Sequence, residues 1–368
     1  MASNIGIDLI KKINLENKEE NIVLSPTGIE IVLSLISNGA QGETQNEILQ
    51  LLNYNDSEEA NKVSKNIIEQ SKKEQNTLNI ATAILTKTAA NEDFIKRGVS
   101  DYDAKVDELN NFHLVNQWAK SKTKDNIVKI IDSIPENVLM ILVNAIYFDG
   151  IWKTQFDPKN NIDKDFFNLG KEYNHIKVSM LFYRGKMLNY FENKEIQAVK
   201  LDYDQKAESI KAIIILPKQK DINSFIQDFD VEQYEEIIEG LKNQEKINFY
   251  LPKFEFEYKI DIKDILMSLG IHKAFTKEAD FKKLCEKPLF IGQVLQKNYI
   301  NVNEKGTQAA SVTAMEVILE STKEGDPLAK DFLVNKPFIF MLRNENFPKG
   351  HDILFFTKLC KIEEYDDY

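Results

Sequence analysis

The sequence predicts an α+β fold, and three observations carry that reading. Segments of helical period gather early in the chain, while β-type runs dominate its later part. The 368 residues are 43% hydrophobic, enough to bury a large core. No Pro/Gly/Ser-rich linker, abrupt change of composition or fixed-period repeat divides them, so one domain over residues 1–368 is expected.

Taken in order, apolar residues at 5, 9, 10 and 13 make Ile5 to Leu15 a short amphipathic helix. Pro26 to Ile36 is mostly apolar and reads as a buried helix, opened by Ser25-Pro26 with proline near the first turn. Gly39-Ala-Gln-Gly breaks it, Thr44 to Leu52 restarts, and Glu59 to Lys72 is a further helix. Leu78 to Lys87 reads as a strand and Phe112 to Ser121 as an amphipathic helix. Val138 to Phe148 is long, apolar and β-rich, which predicts a central strand buried on both faces. Several β-type runs fill Lys177 to Leu216, with turns expected at Arg184-Gly and Asp204-Gln. Ile222 to Asp228 and Val231 to Leu241 are helical, Lys246 to Tyr258 reads as one strand, and Asp261 to Leu269 as a helix. Strands then dominate to the end.

Charge and composition narrow the function. With 47 basic and 58 acidic residues the net charge is −11, which argues against a dedicated nucleic-acid or anionic-membrane binder. Lys62, Lys65, Lys72 and Lys73 cluster on one helix, but Glu58, Glu59, Glu69 and Glu74 interleave them, so a salt-bridged solvated face is expected. No run of eighteen apolar residues spans a membrane. Met1-Ala-Ser-Asn has no basic and apolar leader, leaving a cytoplasmic chain or an extracellular one whose leader is gone. Asn55-Asp-Ser is a lone glycosylation sequon. Cys285 and Cys360, each following Lys-Leu, have no metal spacing and read as buried free thiols. His113, His175, His272 and His351 sit in no hydrolase or metal motif, and no phosphate loop occurs. No enzyme, metal or cofactor is expected.

Residues 303 to 315 stand out. Gly306, Ala309, Ala310, Ser311 and Ala314 form a run of small side chains leading out of a β-type stretch, Tyr299 to Asn303. Thr307, Ala309, Ser311, Thr313, Met315, Val317 and Leu319 alternate without charge, whereas Gln308, Glu316 and Glu320 fall on the opposite phase. Such a segment can become a strand with one buried face, although the composition from Gln308 to Glu320 also permits a helix.

The sequence Glu304-Lys-Gly-Thr-Gln-Ala-Ala resembles the hinge of the inhibitory serpins. Other blocks agree in order: Asn21-Ile-Val-Leu-Ser-Pro, Ala40-Gln-Gly-Glu-Thr, Leu142-Val-Asn-Ala-Ile-Tyr-Phe-Asp-Gly-Ile-Trp, Phe166-Phe and Val178-Ser-Met. Ile213-Ile-Ile-Leu-Pro, Tyr250-Leu-Pro-Lys-Phe, Leu269-Gly-Ile, Ala279-Asp-Phe and Asn335-Lys-Pro-Phe-Ile-Phe complete a resemblance covering residues 5 to 361. It implies the serpin fold: a large central mixed β-sheet with further sheets, about eight or nine helices, and an exposed reactive-centre loop over about 304–334. It further implies a suicide-substrate inhibitor, a monomer that traps a target endopeptidase covalently after its loop is cut, and an extracellular location (alternatively cytoplasmic). Glycosaminoglycan binding at the lysine-bearing helix, known in some relatives, is not expected here. The alternative is a non-inhibitory serpin serving as a binding, chaperone or storage protein; those usually carry bulky or charged hinge residues, which this hinge lacks.

Residue by residue, the resemblance assigns Glu304, Gly306, Thr307, Ala309, Ala310 and Ser311 to the hinge. Gly306 would free the backbone, and the small residues would ease insertion. Counting seventeen residues from Glu304 places the reactive bond at Glu320-Ser321. Leu319 one position earlier suits papain-like cysteine proteases, so a serine or a cross-class cysteine protease is the expected target. Leu319-Glu320, Thr322-Lys323 and Lys323-Glu324 are the alternative bonds, for chymotrypsin-like or trypsin-like enzymes. Lys253 pairs with Glu304 in the family pattern, beside the aromatic Trp152; Ser25 and Asn144 match the region where the central strands part. Two positions depart from the pattern: Gly28 stands where a second serine is common, and Gln296 where a histidine is common.

Overall fold

A computed structural model of the chain describes residues 5–73, 77–307 and 325–363. After α1 (Ile5–Glu16) come β1 (Ile22–Leu24), α2 (Pro26–Ser37), α3 (Gly42–Leu52) and α4 (Ser57–Lys73). Next are β2 (Leu78–Thr86), α5 (Glu92–Tyr102), β3 (Lys105–Glu108), α6 (Phe112–Lys122), β4 (Met140–Phe148) and β5 (Gly150–Ile151). The middle holds β6 (Ile162–Phe167), β7 (His175–Glu192), β8 (Ile196–Asp202) and β9 (Ile210–Pro217), followed by α7 (Ile222–Asp228) and α8 (Val231–Gly240). β10 (Gln244–Pro252), β11 (Phe254–Asp261) and α9 (Lys263–Ser268) lead to β12 (Gln293–Val302) and β13 (Gly306–Thr307). β14 (Lys330–Leu333), β15 (Phe338–Asn344) and β16 (Ile353–Leu359) close the chain. The described residues thus hold nine α-helices, matching the expected number.

Two sheets organise these elements. One runs β1-β16-β15-β9-β8-β7-β10-β14, with β6 against β7. The other runs β3-β2-β4-β12, with β11 on the far side of β12 and the short β13 and β5 at one end. It is mixed: β4 and β12 lie parallel, while β2 with β4 and β11 with β12 are antiparallel. All nine residues of β4 are buried, as an apolar run interrupted only by Asn144 requires.

Helix α2 packs on both sheets, touching β2, β4 and β16. Every one of its residues is buried: the apolar positions cover most of its circumference, and the polar stripe Thr27, Glu30, Ser34 and Ser37 is enclosed with them, Thr27 donating to the Ile353 carbonyl at 2.8 Å and Glu30 accepting from the Tyr54 hydroxyl. Ser25 caps it, its hydroxyl accepting from the Gly28 amide at 3.3 Å, and Pro26 fills the first turn where no amide is needed. This cap brings Ser25 onto the seam between β4 and β12.

Three expectations need correction, and two further elements stand where none was expected. Arg184-Gly is no turn: β7 runs unbroken through it, and Gly185, at φ +53°, sits in a bulge opposite Asn248 whose side chain accepts from the Gly185 amide at 3.0 Å. The sheet bends there instead of reversing. Lys246 to Tyr258 is two strands in two different sheets, split at Lys253, which therefore stands on a corner. Helix α5 and strand β3 are the added elements: the buried face of α5 is only Phe94, Gly98 and Tyr102, and its central glycine is a poor helix former. Finally, the span 304–334 is not all loop: Gly306–Thr307 is already β13, and Lys330–Leu333 is β14, parallel to β10.

Candidate functional site at the parting of two parallel strands

Strands β4 and β12 pair only from Ile141 to Ile146 against Gln293 to Asn298. Beyond that point they diverge, Phe148 staying with β2 and Tyr299 to Val302 with β11. Into this opening the chain turns back on itself. The Asn303 amide donates to the Gly306 carbonyl at 3.0 Å, and the Asn303 side chain accepts from the Lys305 amide at 3.0 Å. β13 then lies antiparallel to both neighbours, Thr307 opposite Val302 on one side and Gly150 on the other.

The turn is held from one side by the segment after β5. The Trp152 amide donates to the Lys305 carbonyl at 2.8 Å, and the Phe156 amide to the Glu304 carbonyl at 2.9 Å. The Trp152 indole donates to the Asn303 carbonyl at 2.9 Å, while its ring stacks on Tyr203 with centroids 4.6 Å apart. The Tyr203 hydroxyl reaches Thr307 Oγ1 at 2.6 Å. Burial pushes the Tyr203 phenol far up, so this contact joins two neutral hydroxyls.

Glu304 is held by charge. Lys253 Nζ lies 3.1 Å from its carboxylate, and Asn161 Nδ2 donates to it at 2.6 Å. Partial burial alone raises its pKa, but its own backbone amide, Asn161 and Lys253 together outweigh that and keep the carboxyl below its ordinary value. The corner at Lys253 places the ammonium within reach, so Lys253, Trp152 and Glu304 converge.

Gly306 is required by space. A Cβ there would stand 1.9 Å from the Gly150 carbonyl oxygen. Its φ is not positive, so the expectation that it serves by freeing the backbone is replaced by close approach of two main chains. Thr307 is only 2% exposed, already seated in the sheet.

At the closed end of the seam, Gln296, Asn144 and Ser25 meet. The Gln296 amide pairs with the Ser25 backbone, accepting from its N–H at 2.8 Å and donating to its carbonyl at 2.9 Å. It also donates to Asn144 Oδ1 at 3.1 Å and accepts from Asn298 Nδ2 at 2.8 Å. All four hydrogen-bonding positions of the amide are thereby used, which an imidazole with two nitrogens cannot match. Asn298 continues to the Val23 carbonyl at 3.0 Å, and Asn144 Nδ2 to Thr82 Oγ1 at 3.3 Å. Gly28 belongs to the same set: a Cβ on it would fall 2.0 Å from Asn144 Oδ1. The two departures from the family pattern are thus coupled through Asn144.

Sequence reasoning missed Tyr203, Asn161, Asn298 and Thr82. Asn298 had a signal: with Gln296 it places two amides on the buried phase of β12, between Val294 and Ile300. Tyr203, Asn161 and Thr82 carry no such mark. Ala309, Ala310, Ser311, Leu319, Glu320, Ser321, Thr322 and Lys323, with the expected reactive bond, lie outside the described residues. Elsewhere, Cys285 and Cys360 are buried and free. His351 is engaged with the buried Glu30 carboxylate at 2.5 Å. Of the four lysines on α4, Lys65 makes an ion pair among the described residues, with Asp101 at 3.2 Å.

The mixed sheet thus has a parallel central pair parted at one end by the short returning strand β13. The chain belongs to the serpin family: the family model described as "Serpin (serine protease inhibitor)" matches residues 1–362. Its members generally inhibit proteases and are not themselves enzymes. The chain is similar to neuroserpin of Homo sapiens, 26% identical over 367 residues, covering 93% of this chain and 87% of the relative. Among solved structures it is similar to the thermophilic serpin Tengpin in its native state, with TM-score 0.84 and 26% identity over 98% of this chain and 93% of the other. Human thyroxine-binding globulin shares the fold, with TM-score 0.82 and 21% identity over 99% and 98% of the two chains.

Proposed function

We propose that the protein is a suicide-substrate protease inhibitor whose hinge, from Glu304 through Ser311, inserts between β4 and β12 after the loop is cut. The observation that carries this reading is the seat of Gly306 and Thr307. β13 is antiparallel to β12, and β12 is parallel to β4. A strand continuing in the direction of β13 would therefore run antiparallel to both neighbours, replacing one parallel contact with two antiparallel ladders, the more stable pairing per residue. The following side chains fit that path, because Thr307, Ala309 and Ser311 are small and uncharged on the phase that Thr307 already buries.

In this mechanism the protease attacks the loop and forms an acyl-enzyme. Insertion of about 16 residues at roughly 3.3 Å each then carries it about 50 Å. The scissile bond of this reading is Glu320-Ser321, with Leu319 available to a cysteine protease of papain type, so the target is a serine or a cross-class cysteine protease. The test is incubation with a panel of both classes. A covalent complex that survives SDS, with release of the peptide beginning at Ser321, supports the reading; cleavage with full turnover by every protease contradicts it.

A further inference from the structure

The chain on the far side of the loop is received by one side chain, Asn248 of β10, which is 3% exposed. Its Oδ1 accepts from the Asp326 amide at 2.8 Å and from the Gly185 amide at 3.0 Å. Its Nδ2 donates to the Asp326 carbonyl at 3.0 Å and to Asp331 Oδ1 at 2.9 Å. All four hydrogen-bonding positions of the amide are thereby used. Asn248 binds both main-chain groups of Asp326, as a neighbouring strand would, four positions ahead of β14.

The surroundings are shaped to this contact. A Cβ on Gly325 would stand 2.7 Å from Asn248 Nδ2, and one on Gly185 would stand 2.8 Å from Asp326 Oδ2. Charge fastens Asp326 a second time, with Lys246 Nζ 2.7 Å from its carboxylate, which also accepts from the Leu328 amide at 2.9 Å. The Asp326 carbonyl accepts in addition from the Ala329 amide at 3.1 Å. Asp326 is thus pinned where the β7 bulge and β10 meet.

We propose that Asn248 is a positioning residue that decides which bonds of the loop a protease can cut. A protease holds its substrate extended, with residues on both sides of the scissile bond laid along its cleft by main-chain hydrogen bonds. The main chain of Asp326 is already taken by Asn248, so a cleft cannot close around it. Counted along the chain, only Glu324 and Gly325 stand between the Lys323-Glu324 bond and Asp326. Five residues, Ser321 to Gly325, stand between the Glu320-Ser321 bond and Asp326. The clamp denies a cleft its downstream contacts at Lys323-Glu324 and leaves the bonds on either side of Glu320 within reach. It turns the loop away from trypsin-like enzymes, since Lys323 is the one basic residue between Thr307 and Gly325. Trapping of the protease after the cut rests on the inhibitory reading above; the choice of bond does not.

Brief digestion of the native protein with trypsin, and in parallel with chymotrypsin, tests the clamp, with cut sites and rates read by mass spectrometry. Asn248→Ala should speed the tryptic cut after Lys323 at least about tenfold, from the loss of the hydrogen bonds that hold Asp326. The chymotryptic cut after Leu319 should change by less than about twofold, an outcome that general loosening of the fold would not give. A second variant leaves the clamp intact and lengthens the chain, with Gly-Ser-Gly-Ser inserted between Glu324 and Gly325. It should be cut after Lys323 as fast as Asn248→Ala, and it decides the matter alone should Asn248→Ala not fold. A parent cut after Lys323 as fast as the insertion variant overturns the proposal, as does a folded Asn248→Ala cut no faster than the parent. Covalent complex is scored on the same digests: if no protease is trapped, the inhibitory reading fails while the result for the clamp stands.

Discussion

The two ends of the β4–β12 seam are built by opposite means. At the closed end, six residue pairs are latched by neutral amides: Gln296, Asn144 and Asn298, tied to the backbone of Ser25 and Val23. At the open end, the same strands are held apart by a wedge, secured by an ion pair, a stacked indole and a pair of hydroxyls. The closed end resists separation through groups that cannot titrate. The open end holds its wedge through Glu304 and Lys253, near the surface, where charge and solvent can act. On the inhibitory reading proposed above, this asymmetry supplies a starting point for insertion at one end and resistance along the rest.

The largest effect is expected at the open end, for Thr307→Arg. An arginine there puts a charge where Thr307 is buried beside Tyr203, and yield of covalent complex should fall by more than about tenfold, with the loop cut as substrate. Because Thr307 is seated before any cleavage, the native melting temperature should fall as well. Thr307→Val, of similar shape and uncharged, should keep complex formation; equal loss in both variants would mean that charge is not the cause.

Gln296→His attacks the closed end. Losing two of four buried hydrogen bonds should cost about 2–5 kcal/mol of native stability by denaturant unfolding. The variant should also acquire a pH dependence that the parent latch lacks. A buried histidine has its folded pKa below the unfolded value, so stability is retained above about pH 6.5 and falls as pH drops beneath it. A flat profile in the variant would show that position 296 is not enclosed as described.

Gly28→Ser probes the same latch from the helix side. Its Cβ meets Asn144 Oδ1, so the change should destabilise by about 1–3 kcal/mol, and Asn144→Ala in the same chain should recover part of the loss. Strict additivity of the two changes would separate Gly28 from Asn144.

The smallest effect is expected for Lys253→Met, about 1 kcal/mol, since the lysine is partly exposed and Asn161 remains on Glu304. The Glu304 carboxyl has a folded pKa below its unfolded value. Its contribution is therefore present at neutral pH and is lost as pH falls through the carboxylate range and below. That acid-side loss should be shallower in the variant, and an identical acid profile would remove Lys253 from the account.

Much of this arrangement was legible in the sequence because it is written in period and residue size. The apolar run of β4, the small-residue phase after Gly306 and the proline-capped α2 each announce their environment. What was not legible depends on two distant segments meeting. Nothing in Lys246 to Tyr258 says that the strand changes sheets at Lys253, since a corner leaves the β-type composition intact. Gly28 and Gln296 read separately as departures from a pattern, and only contact with Asn144 makes them one adjustment. Gly306 could be picked out, but the Gly150 carbonyl that demands it is 156 positions earlier and silent in sequence.

If the open end is where insertion starts, cutting the loop must release it. The protein is melted before and after a protease cuts the loop. Full insertion adds backbone hydrogen bonds of about 1 kcal/mol each over some ten or more residues, which for a chain of this size predicts a gain of about 10 °C or more. An unchanged or lower melting temperature after clean cleavage would contradict the account.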